Sequence, residues 1–242
     1  MKFSPFIYAL LSAIILSIPW LINETGILLL FAWIPLLYAE KQLALSQKSF
    51  KIWIVGYLCF FFWNLLTTWW LYSVSEELST KLFASVVPII CNALLMSIAW
   101  ILFHHTRKKL GNSIGYFSLI CYWISFEYIH LNWDLSWPWL TLGNGFANSI
   151  YFIQWYEYTG TLGGSLWVLV SNILLFRLFE NIFNIGGLKG SSKNCHLLHP
   201  LLWRGKGEVL KNTIFRTAIK VHFIPSFFSL TILQLLHKVP WH

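Results

Sequence analysis

Seven apolar runs dominate this 242-residue chain, and most of its charged residues lie in the gaps between them. The runs cover about residues 6–22, 27–38, 52–72, 82–103, 114–129, 162–179 and 214–236. A run of roughly 20 apolar residues is long enough to cross the hydrocarbon core of a bilayer as a helix. Backbone N–H and C=O groups must pair internally in lipid, which favours helices. The sequence therefore predicts an all-α polytopic membrane protein with about seven transmembrane helices.

The amino-acid composition supports this class of protein. Hydrophobic residues make up 57% of the chain and charged residues 11%, whereas a soluble domain carries roughly 25% charged residues. A formal net charge of +8 would suggest a nucleic-acid partner in a soluble protein. Here the basic residues lie between apolar runs, as is typical of the flanks of membrane helices. We therefore expect no nucleic-acid partner.

Loop charges predict the orientation of these helices, because basic residues are enriched in cytoplasmic loops. The gap after the fourth run carries Arg107, Lys108 and Lys109, and the gaps after the second and sixth runs are also basic. The alternate gaps are acidic or neutral, as at Glu76 and Glu77. This alternation predicts a cytoplasmic N-terminus, with the segment after the fifth run and the C-terminus on the periplasmic, or outer, side.

An aromatic and acidic segment separates the fifth run from the sixth. Glu127, Asp134 and Glu157 are three of the nine acidic residues in the chain. Beside them lie Trp133, Trp137, Trp139, Trp155, Pro138 and the turn Gly143-Asn144-Gly145. Proline and glycine disfavour a core helix, whereas indole suits the boundary between hydrocarbon and water. We predict that residues 133–155, the tryptophan loop, form an ordered loop at the outer membrane surface.

Polar side chains within the apolar runs are functional candidates, because they are costly in lipid. Glu127 either pairs with a polar group of the tryptophan loop or extends to water. Asn64, Thr67 and Thr68 make one side of the third run polar, and we expect them to hydrogen-bond to neighbouring helices. His104 and His105 adjoin a basic gap and are expected to continue it.

No catalytic set is visible from residue types and spacing alone. The chain contains no nucleophile elbow, zinc-protease motif or phosphate loop. Cys59, Cys91 and Cys121 lie in apolar runs and are interpreted as small buried residues. Cys195 lies near two histidines in a glycine-rich stretch, but a fourth ligand for a zinc site is missing. We expect no metal and no cofactor.

The same patterns predict three parts of the chain. Residues 1–180 form a six-helix membrane domain, and residues 181–213 form a flexible, basic cytoplasmic loop marked by glycine pairs. Residues 214–242 form a seventh transmembrane helix with a short outer tail.

The central stretch resembles the apolipoprotein N-acyltransferase family of bacterial inner membranes. The resemblance rests on Trp123 and Glu127 in a W-x-x-x-E pattern, the run Trp137-Pro138-Trp139-Leu140-x-Leu142-Gly143, then Gln154 and Tyr158-Thr159-Gly160. It covers residues 1–180 well and continues into the seventh run. The motif around Pro138 is fairly specific, whereas the individual helices are not.

The resemblance implies transfer of an acyl chain from a phospholipid to the N-terminal cysteine of a diacylated lipoprotein. In the family, a Glu-Lys-Cys triad in a nitrilase-like domain performs this reaction. No residue up to His242 stands in the matching context, so we expect a truncated membrane domain that is inactive alone and has no catalytic residues of its own. Its partners would be phospholipid, a diacylated lipoprotein and, in a split enzyme, a separate nitrilase-like chain.

The resemblance also assigns candidate residues, either as a lipid- and substrate-facing opening or as a structural loop anchored at the interface. They are Glu127, Trp133, Trp137, Pro138, Trp139, Gly143, Gln154 and Glu157, with the polar side of the third run beside them. A non-enzymatic scaffold or transporter is the alternative function. A transporter should show internal repeats or paired broken helices, and the sequence shows neither.

Overall fold

A computed structural model describes residues 4–45, 49–73, 75, 77–134 and 136–185. Within these residues the secondary structure is entirely helical. The α-helices are α1 Pro5–Leu21, α2 Ile34–Ala44, α3 Ser49–Thr68, α4 Leu78–Leu110, α5 Asn112–Leu131 and α6 Tyr156–Ile185. The chain divides into two compact units, Met1–Ile173 and Leu174–His242. Only the last part of α6 is described in the second unit, and the account below concerns the first.

The all-α membrane class is confirmed, but the predicted number of spans is not. Four helical segments are long and apolar enough to cross a bilayer: Gly26–Ala44, Ser49–Ser73, Leu78–Leu110 and Tyr156–Ile182. Helix α1 is apolar but shorter, and α5 is not among the four. The predicted seventh span at 214–236, and the loop at 181–213 beyond residue 185, lie outside the described residues.

The second apolar run is a broken helix, and it extends further than the predicted 27–38. A 3₁₀ turn at Gly26–Leu30 precedes α2, and Pro35 lies in the first turn of α2, where its missing N–H is tolerated. Asn172 of α6 bridges the break. Its Oδ1 accepts from the Trp33 backbone N–H at 2.8 Å, and its Nδ2 donates to the Leu29 carbonyl at 2.6 Å.

Replacing Asn172 with leucine is expected to lower the unfolding free energy by about 2 kcal/mol, because it leaves a buried donor and a buried acceptor without partners. Denaturant titration in detergent micelles measures this loss. Asn132→Leu is the control, since Asn132 is exposed and its side chain bonds only to the Tyr128 carbonyl of its own helix. Equal losses in the two variants would contradict the role given to Asn172.

Aromatic rings fill the centre of the bundle formed by α1 to α5. Trp33, Phe60, Trp100 and Trp123 are fully buried, and the rings of Trp33 and Trp123 meet edge to face with centroids 4.5 Å apart. Helices α3 and α4 approach closely at Gly56, where a Cβ atom would overlap the Trp100 ring. These contacts bring α2 to α5 together around one aromatic core.

The polar side of α3 faces α4. Asn92 of α4 donates to Asn64 Oδ1 at 2.6 Å, which confirms the predicted interhelical hydrogen bond. The prediction was wrong for Thr67 and Thr68, whose hydroxyls bond to carbonyls of α3 itself. All three α3 side chains are buried, so this side of α3 does not line an opening in the described structure.

His104 was expected to continue a solvated basic gap, and that prediction was wrong. His104 is buried, and its Nδ1 lies 2.6 Å from Glu40 Oε1. Arg107 Nη2 lies 2.5 Å from Glu40 Oε2, and Arg107 Nε donates to Oε1 at 3.2 Å. This buried cluster of Glu40, His104 and Arg107 joins the C-terminal ends of α2 and α4.

The sequence predicted buried cysteines, and this is correct for one of the three cysteines that the structure describes. Cys59 is buried, whereas Cys91 and Cys121 are exposed on the surfaces of α4 and α5. An apolar run in a membrane helix has a lipid-facing side as well as a core side, so run membership alone does not predict burial.

Candidate functional site

Helix α5 presents three functional side chains on one face. Trp123, Glu127 and His130 stand at positions i, i+4 and i+7, a spacing that aligns side chains along a helix. All three are buried, and Glu127 is only 3% exposed. A carboxylate buried to this degree requires hydrogen-bond donors nearby.

Glu127 receives donors from its own helix and from the tryptophan loop. Its Oε1 accepts from Trp123 Nε1 and from the Leu142 backbone N–H, both at 2.9 Å. Its Oε2 has no partner with hydrogen-bond geometry. Of the two alternatives left by the sequence, Glu127 therefore pairs with the loop and does not extend to water.

The tryptophan loop contains three short 3₁₀ segments, Pro138–Leu140, Leu142–Phe146 and Ile150–Phe152. Gly143 fastens it to α6. The Gly143 N–H donates to Ser165 Oγ at 2.9 Å, and the Gly143 carbonyl accepts from the Tyr156 hydroxyl at 3.0 Å. A Cβ atom at this position would overlap the Thr161 carbonyl oxygen. Glycine is thus required by the close approach of the two backbones.

The loop also docks on α1 and on the 3₁₀ turn that follows it. Trp20 Nε1 donates to the Trp139 carbonyl at 2.8 Å. Phe146 is buried against Gly26, and its ring centroid lies 5.0 Å from that of Trp167 in α6. Contacts with α1, α5 and α6 therefore hold this loop against the helices.

The predicted site residues do not converge on one pocket. Glu127 and Gly143 are buried, and Trp137 is half-buried. The exposed residues are Trp133, Pro138, Trp139, Gln154 and Glu157. Gln154 Nε2 bonds to the nearby Ile150 carbonyl at 3.0 Å, which is a local turn contact. Their roles as lipid- or substrate-facing residues stay predictions.

Sequence reasoning missed three residues that fix the loop: Trp20, Tyr156 and Ser165. Trp20 lies 119 residues before its partner Trp139, and no local pattern links the two. Ser165 follows Gly163-Gly164, which was a visible sign of close packing near the start of α6 but did not identify the partner.

Five exposed aromatic side chains lie at the end of α3 and in the loop. Trp69, Trp70 and Tyr72 follow α3, and Trp139 and Tyr151 belong to the loop itself. We call these five residues the aromatic rim. The rings of Trp70 and Trp139 meet with centroids 5.5 Å apart, which joins the end of α3 to the loop. Tryptophan and tyrosine are enriched where hydrocarbon meets the headgroup layer.

An open apolar groove runs between α4 and α5 below the loop. Leu95, Ile98, Leu102 and Ile129 line it, and Trp133 stands at the loop end. Within the described residues, no group of three His, Cys, Asp or Glu side chains could hold a metal ion. The chemistry visible here is apolar contact along the groove and hydrogen bonding at the buried carboxylate.

Comparison with known proteins identifies the same region. The family model "Apolipoprotein N-acyltransferase N-terminal domain" matches residues 12–174. A curated relative from Chlorobaculum tepidum, an apolipoprotein N-acyltransferase, is 26% identical over 175 residues, which is 72% of this chain and 32% of the relative. The chain thus matches about a third of that relative's length. No solved structure gave a significant match.

Proposed function

Because this chain belongs to the family of apolipoprotein N-acyltransferase N-terminal domains, we propose that it forms the membrane platform of an acyltransferase. The platform presents phospholipid, the acyl donor, to a nitrilase-like catalytic domain at the outer membrane surface. The acceptor is the N-terminal cysteine of a diacylated lipoprotein, in the maturation of bacterial lipoproteins.

The observations that carry this proposal are the aromatic rim and the apolar groove between α4 and α5. Trp70 and Trp139 are 41% and 52% exposed, and each combines an apolar face with one N–H donor that headgroups can accept. The groove between α4 and α5 begins beside Trp133 and offers an apolar surface to an acyl chain. A lipid held there would have its ester groups near the level of the loop.

The proposed setting is the bacterial inner membrane, with the N-terminus in the cytoplasm and the rim and C-terminus on the periplasmic side. Helices α1, α3 and α5 end beside the loop, whereas α4 ends with Arg107, Lys108 and Lys109. This arrangement supports the predicted orientation, because basic residues favour the cytoplasmic face. Seven spans remain part of the proposal, with α1, α5 and residues 214–236 added to the four apolar segments.

The catalytic residues are proposed to lie in a nitrilase-like domain placed over the rim, either in the same polypeptide or in a separate chain. No residue of the tryptophan loop is assigned a catalytic role. The Oε1 atom of Glu127 accepts two hydrogen bonds that hold the loop, so this residue acts on the shape of the platform.

Complementation tests the platform. In cells depleted of their own N-acyltransferase, the chain fused to the part of the Chlorobaculum relative that it does not match should restore growth, whereas the chain alone should not. The relative's intact protein is the positive control. Rescue by the chain alone would show that the chemistry lies within these residues. Failure of the fusion beside a working control would count against the platform role.

Lipid contact can be measured separately, with phospholipids that carry a photoactivatable group on the acyl chain. Trp139→Ala should reduce cross-linking to the loop severalfold, because it removes the indole that packs on Trp70. Phe117→Ala is the matched control, since Phe117 is 66% exposed on α5 outside the rim and groove. Equal yields in the two variants would show that the rim does not hold lipid.

A further inference from the structure

Three side chains that line one small cavity each carry a buried polar atom without a partner. The atoms are Glu127 Oε2, His130 Nε2 and Trp137 Nε1. The cavity lies between α5, the start of the tryptophan loop and Met96 of α4. Polar atoms buried in this way are rare in proteins, and an ordered water or an ion is one partner that can satisfy them.

The backbone brings these groups together. The Trp137 N–H approaches the His130 carbonyl at 3.4 Å, so the loop folds back onto the last turn of α5. Glu127 is fixed from the other side by the Leu142 N–H. Each of the three residues is therefore held in place by bonds of its side chain or of its backbone, beside the cavity that all three line.

The chemistry of the three atoms selects the occupant. Indole nitrogen only donates, an ionised carboxylate only accepts, and imidazole Nε2 does either, depending on the tautomer. A metal ion or an ammonium group cannot accept the indole proton, and an anion would face the carboxylate. A hydroxyl group satisfies all three atoms, and the space is about the size of one water molecule.

We propose that this cavity holds one resident water molecule. It accepts a hydrogen bond from Trp137 Nε1, donates to Glu127 Oε2, and bonds to His130 Nε2, which donates or accepts according to its tautomer. The three bonds equal the typical number for a buried water. The water gives the loop a second polar link to α5, next to the bond between Glu127 and Leu142. This site is independent of the proposed lipid function.

Radiolytic footprinting of the full chain in lipid nanodiscs tests the site, because hydroxyl radicals form from bound water inside a protein. Met96 and His130 line the cavity and are 1% and 8% exposed, so bulk solvent contributes little to their oxidation. Trp100 is fully buried on the same helix as Met96 and serves as the dry reference. We expect oxidation of Met96 and His130 to exceed that of Trp100 severalfold after correction for intrinsic reactivity.

A pair of variants tests whether the Trp137 indole donates a hydrogen bond to the water. Trp137→Phe removes the indole N–H and should reduce oxidation of Met96 and His130 severalfold. Trp139→Phe makes the same chemical change two residues away, on a ring that packs on Trp70 outside the cavity, and should leave both rates unchanged. Protection of Met96 and His130 in the unaltered chain to the level of Trp100 would show a dry cavity and overturn the proposal, even if a variant fails to fold. Equal rates in the two variants would also overturn it.

Discussion

Replacing Arg107 with alanine is expected to lower the free energy of unfolding by about 3 kcal/mol, because it leaves a buried carboxylate without its full partner. Glu40 is 1% exposed and receives both the Nε and Nη2 groups of Arg107. His104 alone would then face the charge. A guanidinium that bonds to both oxygens of a carboxylate forms a stronger pair than a neutral hydrogen bond does.

Lys108→Ala is the matched control for Arg107→Ala. It removes the same charge from the adjacent position, but Lys108 is exposed, so a change of less than about 0.5 kcal/mol is expected. Thermal or denaturant unfolding in detergent micelles gives both values. If Lys108→Ala destabilised the protein as much as Arg107→Ala, total charge at the end of α4 would be responsible, and the buried cluster would not.

Replacing Glu127 with leucine is expected to release the tryptophan loop from α5. Trp123 Nε1 and the Leu142 N–H would both lose their acceptor in a buried site, with a penalty of roughly 1–3 kcal/mol for each unpaired group. Limited proteolysis within residues 133–155 should become markedly faster, and the unfolding free energy should fall.

The Glu127→Gln variant distinguishes the effect of the two hydrogen bonds on the loop from the effect of the carboxylate charge. Its side-chain oxygen can accept from the same two donors, so Glu127→Gln should restore most of the protease resistance that Glu127→Leu loses. Glu157→Leu is the control for loss of an acidic residue from the same segment, since Glu157 is exposed. Full sensitivity in Glu127→Gln would mean that the charge holds the loop, and not the two hydrogen bonds.

The helices could be predicted from apolar runs, but their ends could not. The fourth run was predicted at 82–103, whereas α4 extends over Leu78–Leu110. Hydropathy marks the residues that lipid tolerates, while a helix continues as long as its backbone bonds and caps allow. Arg107 and Lys108 lie on the last turns of α4, where cations are favourable.

The candidate site was predictable where its residues are near in sequence. The sequence singled out Trp123 and Glu127 at a spacing of four residues, and the structure shows a hydrogen bond between them. The distant partners were not predictable, because pairs such as Trp20 with Trp139 leave no periodic signal. The same limit applies to Glu40. Its position near the polar end of a helix does not indicate that it bonds to Arg107, which lies 67 residues later in the chain.

The bond network of Asn172 bears on the order in which the chain is assembled. A polypeptide enters the membrane from its N-terminus, so the break at residues 31–33 is made long before α6 exists. Until α6 arrives, the Trp33 N–H and the Leu29 carbonyl lack the side chain that joins them in the finished protein. The sixth helix to be synthesised thus completes the hydrogen bonding of the second.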